Sequence, residues 1–373
     1  MKKALYGLRQ ASREWNQRID DFLKAFKLTQ SPADSCVYFS NHDGRRLLIM
    51  LFVDDGLMIS NCPAQMDSVL TFMKDVFITK VTMDPELYVG IHLQRDRPNR
   101  IIYIDQELYI KSMLQKFKFN DSHAVSTPVE PGAHLRPIST NSDESLEPNF
   151  PFAQIIGSLQ FAALTTRPDI AYAVNNATQF KNHPSTANCN AVRRILKYLQ
   201  GTSDFRLPLG GSHASFTLTA YADADYAAAI EDRKSRSGYV IFFDGNPISW
   251  ASKKQPCVAT STTHSEYIAC YAVATEVIWL RRLLASIGIL QTKPTTIFTD
   301  SQSAMRLAVN PEFHSRTKHV DVKFHFLREQ VVLRTIDIQN LPTQQQIADI
   351  MTEALTPDQF RRLRDLLTLT TMH

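Results

Sequence analysis

Phe216-Thr217-Leu218-Thr219-Ala220-Tyr221-Ala222-Asp223-Ala224-Asp225-Tyr226 alternates in character and then runs straight into two carboxylates. A period of two is the mark of a half-buried strand, here expected over 216–222. Three later acids fall where a site on such a strand would draw them: Glu266 at the start of a long helix, Asp300 at the end of a second strand, and Asp349 at the start of a later element. Carboxylates a few Å apart raise one another's pKa, so four in one pocket persist as anions only around divalent cations. That pattern implies two-metal hydrolysis of a phosphodiester.

Downstream of this strand the spacing predicts strands over 238–243 and 248–252, a helix over 263–286, a strand over 296–299, helices over 302–309 and 320–333, a strand over 336–341 and a last helix from 344. Three antiparallel strands followed by helix-separated ones give a mixed five-stranded sheet with helices on its faces. Active sites of open α/β sheets form at the carboxyl ends of strands, where Asp223 and Asp300 both fall.

Each acid also has a plainer explanation. Thr263-x-x-Glu266 is a capping box, although the helix periodicity also turns Glu266 toward the apolar stripe through Ala269, Val273, Val277 and Leu280. Asp300 suits the N-cap of the helix after it, and Asp349 suits the first turn of the last helix. Asp225 points to the same side as Asp223 and could replace or support it; Asp223 follows the strand more directly.

Upstream, residues 3–28 have helical periodicity with Trp15, Ile19, Phe22, Leu23 and Phe26 on one side. Leu47 to Val53, Asp54-Asp55-Gly56 and Leu57 to Ile59 read as strand, acidic turn and strand. A helix over 66–77 and short strands near 88–91 and 101–104 complete an α+β unit. Residues 120–149 carry Pro128, Pro131, Pro137 and Pro148 among Ser, Thr and Asp, as a connecting segment does. Helices follow over 155–164, 170–180 and 191–199, where Arg193, Arg194 and Lys197 are expected to be solvated.

The 373 residues suffice for two or three domains, and the net charge of +4 leans only mildly toward polyanions. Five cysteines without a C-x-x-C pair suggest neither a zinc ribbon nor a disulfide framework, which fits a reducing compartment. No apolar run approaches the roughly 20 residues that span a bilayer, and residues 1–6 are unlike a signal peptide. The expectation is an intracellular chain, cytoplasmic and particle-associated or nuclear, with no membrane partner.

These motifs together resemble the Pol polyprotein of copia-type long-terminal-repeat retrotransposons over nearly the whole chain. Residues 3–11 are similar to the template-facing segment of its reverse transcriptase, and Phe52-Val53-Asp54-Asp55 to its polymerase turn, with Phe52 where Tyr is usual. Tyr88-Val89-Gly90-Ile91 resembles the primer-gripping region, and Thr166-Arg167-Pro168-Asp169 begins the helical connection. Tyr221 to Asp225, Ser249 to Gln255, Ser265-Glu266-Tyr267, Asp300 to Ala304, Arg316 to His319 and Ala348-Asp349-Ile350 resemble its ribonuclease H domain.

The resemblance implies a truncated reverse-transcriptase palm over 1–110, thumb and connection over 111–210 with the linker at 120–149, and a ribonuclease H-like domain over 215–373. It implies two Mg²⁺, or Mn²⁺ in their place, on Asp223, Glu266, Asp300 and Asp349, and polymerase metals on Asp54 and Asp55. The substrate would be an RNA/DNA hybrid, with Lys253, Lys254, Arg316 and Lys318 on its backbone and other Pol subunits as candidate partners. The family's first polymerase aspartate lies upstream of the segment that opens this chain, so primer extension by the chain alone is not expected. The stretch 341–346 has no histidine, unlike the matching loop of many cellular ribonucleases H. The competing expectation is a catalytically decayed, nucleic-acid-binding remnant.

Overall fold

A computed structural model describes residues 9–133, 135–136, 147, 149–211, 215–309 and 321–371. The chain divides into two compact units, residues 1–89 with 278–292, and residues 90–277 with 293–373.

The first unit opens on α1 (Arg9–Ala25), whose apolar stripe is the expected one: Ile19, Phe22 and Leu23 are buried, with Trp15 and Phe26 packed at the rim. β1 (Thr29–Gln30), β2 (Val37–His42), β3 (Arg45–Phe52) and β4 (Asp55–Ser60) form an antiparallel sheet in sequence order, and α2 (Pro63–Val76) lays Val69 onto the same core. The hairpin is tighter than expected. Phe52 pairs with Asp55, so Val53 and Asp54 make the turn and Asp55 already belongs to β4. Val53 takes a φ of 58°, costly for a β-branched residue, and its carbonyl accepts a 2.7 Å hydrogen bond from Trp15 Nε1. β5 (Leu87–Tyr88) ends this stretch.

In the second unit, β6 (Ile91–Asp96), β7 (Ile101–Asp105) and, across a long excursion, β8 (Leu207–Gly210) pair antiparallel. Between them run α3 (Glu107–Lys116), α4 (Phe152–Thr165), α5 (Ala171–Thr178) and α6 (Thr186–Gln200). The described part of 120–149 holds no helix or strand, yet it is fastened down. Arg194 donates to the Thr127 carbonyl and hydroxyl at 3.1 and 3.0 Å, and Arg193 to the Glu147 carboxylate. These arginines are therefore not the solvated face anticipated; long guanidinium forks find fixed acceptors on the neighbouring segment.

At the head of α5, Arg167 and Asp169 are both fully buried. Arg167 donates to both Asp169 oxygens at 2.9 and 2.7 Å and to the Thr202 carbonyl at 2.6 Å, while Tyr198 donates to Asp169 at 2.6 Å.

The second sheet of this unit has the order β11-β10-β9-β12-β13, formed by β9 (Leu218–Asp225), β10 (Arg236–Phe243), β11 (Asn246–Lys254), β12 (Thr295–Thr299) and β13 (Ile336–Asn340). β9, β10 and β11 are antiparallel neighbours; β12 lies parallel to both β9 and β13. With α7 (Thr262–Ser286), α8 (Gln302–Val309) and α9 (Asp321–Val332) between strands, this is the expected mixed five-stranded sheet. The expected last helix is different. Residues 343–345 and 347–351 are short 3-10 turns, and α10 (Pro357–Leu366) begins only where Pro357 supplies a helix-compatible φ at the first position. Val240 and Phe242 of β10, Ile350 and Met351 of the turn, Phe360 of α10 and the buried faces of α3 to α6 form one continuous core. Trp250 Nε1 ties β11 to the Ala163 carbonyl of α4 at 2.7 Å.

Candidate active site

β9 runs further than its apolar pattern suggested and carries both acids within the strand. Leu218, Ala220, Ala222 and Ala224 are buried on one face, while Thr219, Tyr221, Asp223 and Asp225 share the other. Asp223 faces Gly238 across the ladder and Asp225 faces Arg236. On the parallel side Thr296 pairs with Thr219 and Phe298 with Tyr221, and continuing that register puts Asp300 level with Asp223. Adjacent strands lie about 4.8 Å apart, which makes the two carboxylates neighbours by construction.

Glu266 comes from the opening turns of α7, where residues 264–270 are all buried. Gln255 sets this end of the helix, donating to Ser237 Oγ of β10 at 2.8 Å and to the Ser265 carbonyl at 2.9 Å. The capping explanations fall away, because both helices are capped by serine. Ser261 Oγ accepts from the His264 N–H at 3.1 Å and Ser301 Oγ from the Ala304 N–H at 3.2 Å. Glu266 and Asp300 are thereby left for another purpose.

One oxygen from each of Asp223, Glu266 and Asp300 lies within 4.8 Å of the others, so a single cation could touch all three. Glu266 is 8% exposed, and its Oε2 has no hydrogen-bond partner among the described residues. Asp349 stands outside this trio, in the 347–351 turn, but near enough to interact with Asp223 and Asp300 electrostatically. Asp225 does not join it and sits instead in the electrostatic reach of Arg236, Tyr172 and Glu353.

Burial, reinforced by the Asp223 and Asp300 charges, pushes the Glu266 carboxyl up to about 10. Burial raises Asp349 to about 9, with Asp223, Glu353 and Asp300 adding to it. Asp223 rises to about 7 by burial, opposed by the Thr352 hydroxyl, which donates to its Oδ2. Glu353 is likewise raised by burial and by Asp225 and Asp300.

These shifts set the pH response of the cation-free protein. Below about pH 3 all these carboxyls are protonated in both the folded and the unfolded chain. As pH rises toward 7 for Asp223, 9 for Asp349 and 10 for Glu266, the unfolded chain ionises while the folded one keeps its protons, so stability drains away. Thermal unfolding in EDTA is expected to show a melting temperature that falls from pH 5 to pH 9; a flat or rising one would count against the crowded acid cluster.

Several residues that hold the site carry no sequence signal of their own. Thr343 donates to Asp300 Oδ2 at 2.8 Å, and Gln346 donates to the Ala222 carbonyl at 2.9 Å. Of the basic residues expected on a nucleic-acid backbone, Lys253 is exposed, whereas Lys254 is paired with Asp232 at 2.9 Å. Arg316 and Lys318, with His314 and His319, lie outside the described residues. In the first unit Asp54, in the hairpin turn, and Asp55, at the start of β4, are exposed, and among the described residues no third acid, histidine or cysteine completes a cation site with them.

The sequence profile of the family described as Reverse transcriptase (RNA-dependent DNA polymerase) matches residues 1–131. The chain is 35% identical over 98% of its length to the Retrovirus-related Pol polyprotein from transposon TNT 1-94 of Nicotiana tabacum, covering 28% of that protein. It is 33% identical over 99% of its length to the corresponding polyprotein from transposon RE1 of Arabidopsis thaliana, covering 25% of it. The chain thus spans about a quarter of the length of these curated relatives. A foamy viral protease-reverse transcriptase solved in complex with RNA/DNA hybrid aligns with 91% of the chain and 39% of its own length, at 10% identity and a TM-score of 0.47.

Proposed function

Because the chain belongs to the Pol polyproteins of copia-type transposons, we propose that its residues 215–373 hydrolyse the RNA strand of RNA/DNA hybrids with divalent cations held by Asp223, Glu266, Asp300 and Asp349. On this reading residues 1–110 are reverse-transcriptase palm, with Asp54 and Asp55 as polymerase ligands, and residues 111–210 are thumb and connection. The observation that carries it is the trio of carboxylate oxygens within 4.8 Å, one of whose members, Glu266, keeps a buried Oε2 without a partner among the described residues. All the donors are hard oxygens, which suits Mg²⁺ or Mn²⁺ and not a soft metal.

Bound cations supply positive charge where negative charge develops on the phosphate being cleaved. The chain's own residues prepare for that. Glu266 and Asp349, held far above the ordinary carboxyl range, give up protons as cations enter and so couple binding to pH. Thr352 and Thr343 each occupy one carboxylate oxygen, on Asp223 and Asp300, which limits how those groups can turn. Lys253, exposed at the end of β11, is the candidate for a phosphate contact.

Incubating the purified chain with end-labelled RNA/DNA hybrid is expected to yield RNA-strand products with Mg²⁺ or Mn²⁺ and none with EDTA, while duplex DNA stays intact. A folded chain that leaves hybrid uncut with either cation would overturn the reading.

A further inference from the structure

Thr352 follows directly on the turn that carries Asp349 and is fully buried. Its hydroxyl has one proton and three oxygens in reach: Asp223 Oδ2, the Asp349 carbonyl at 3.1 Å and the Ala348 carbonyl at 3.5 Å. A carboxylate is the stronger acceptor and here also the nearest, so the proton goes to Asp223.

That reach depends on the residue opposite. Gly238 is the cross-strand partner of Asp223, and a Cβ at this position would fall 2.6 Å from Met351 Cβ and 2.6 Å from Thr352 Cγ2. Side-chain carbons do not approach that closely, so glycine is what lets the turn lie flat enough on β10 for Thr352 to reach across to β9. Gln346, fully buried, fixes the other end of the same turn on the Ala222 carbonyl. Thr343 provides an internal contrast. It makes a similar bond to Asp300, but from an exposed position where water can substitute for a lost hydroxyl.

We propose that Thr352 is a positioning residue for the cation site: its buried hydroxyl holds the Asp223 carboxylate in the orientation that meets Glu266 and Asp300, so the trio is assembled before a cation arrives. The proposal rests on the cation-site reading above. Without the hydroxyl, Asp223 is free to turn from a neighbouring anion, and the cation must draw it back. Groups that hold a ligand from behind are typically worth about 10- to 100-fold in metal affinity.

The test is Mn²⁺ binding to the whole chain without substrate, measured by calorimetry beside thermal unfolding in EDTA. Thr352→Val, which keeps the shape and removes the hydroxyl, is expected to weaken Mn²⁺ binding by about 10-fold or more. Thr352→Ser should restore binding to near the parental value, and Thr343→Val should lower it far less than Thr352→Val does. In an Asp223→Ala background, Thr352→Val should add no further loss, because the hydroxyl then has no ligand to hold. If Thr352→Val does not fold, Thr352→Ala takes its place with the same expectations. Parental affinity in the variant lacking the hydroxyl, or equal losses with Val and Ser, overturns the proposal. A parent chain that itself binds no Mn²⁺ overturns instead the cation-site reading beneath it.

Discussion

Glu266→Gln is expected to reduce cation-dependent cleavage of hybrid by at least about 100-fold, the upper end of what losing even an outer partner of a metal ligand costs. The same change should leave the cation-free protein as stable as the parent or more so. Glu266 is buried beside Asp223 and Asp300, and its carboxyl is pushed up to about 10, so near neutrality without a cation it carries its proton. Gln matches that neutral form in size and hydrogen-bonding outline. It cannot supply the negative charge that a cation requires, and it removes one titrating group from the pH response in EDTA. Helix capping does not confuse the comparison, because Ser261 and not Glu266 satisfies the start of α7. Single-turnover cleavage and thermal unfolding in EDTA measure the two halves separately. A variant that cuts within a few-fold of the parent removes Glu266 from the reaction, and one that melts much lower assigns it a structural duty.

Arg167→Met is expected to destabilise the second unit by about 3–5 kcal/mol, the usual consequence of leaving a buried charge without its partner. Arg167 and Asp169 have no exposed side-chain surface, and the guanidinium also ties Thr202, after the end of α6, to the head of α5. Met fills much of the same volume, so packing loss is small and the cost falls on Asp169, left with Tyr198 as its side-chain donor among the described residues. The double variant Arg167→Met with Asp169→Leu should recover part of the loss, since it removes the orphaned charge. Urea unfolding of parent, single and double variants tests this; a single variant within about 1 kcal/mol of the parent, at the scale of an exposed pair, would refute it.

Much of this was legible in the residues. The alternation from Leu218 onward marks β9, and since strand side chains repeat every two residues, it also puts Asp223 and Asp225 on one face. Choosing between them took more than periodicity: Asp225 lies opposite Arg236 in the ladder, whereas Asp223 lies opposite a glycine and level with Asp300. Local pattern does not fix the helix caps, because Thr263 and Asp300 are as acceptable locally as Ser261 and Ser301, and only backbone geometry selects between neighbouring acceptors. The start of the last helix is hidden for a similar reason. The apolar positions Ile347, Ile350 and Met351 fit a helical stripe, but Gln346 bonds to Ala222 and diverts the chain into 3-10 turns. Thr352, Thr343 and Gln255 act through partners distant in sequence, and no local pattern announces such bonds.

The core shared by α3 to α6, β10 and α10 also bears on how such chains can be recombined. In the primary sequence the five-stranded sheet looks like a cassette that could be lifted out near residue 215 and set behind another helical segment. Its packing says otherwise. Val240 and Phe242 share one core with the buried faces of α3 to α6, which are encoded before that junction, and Trp250 reaches back to Ala163. An exchange that moved the sheet alone would expose an apolar face and orphan an indole N–H, so inherited crossovers that keep the sheet folded must carry α4 to α6 along or bring helices with matching side chains.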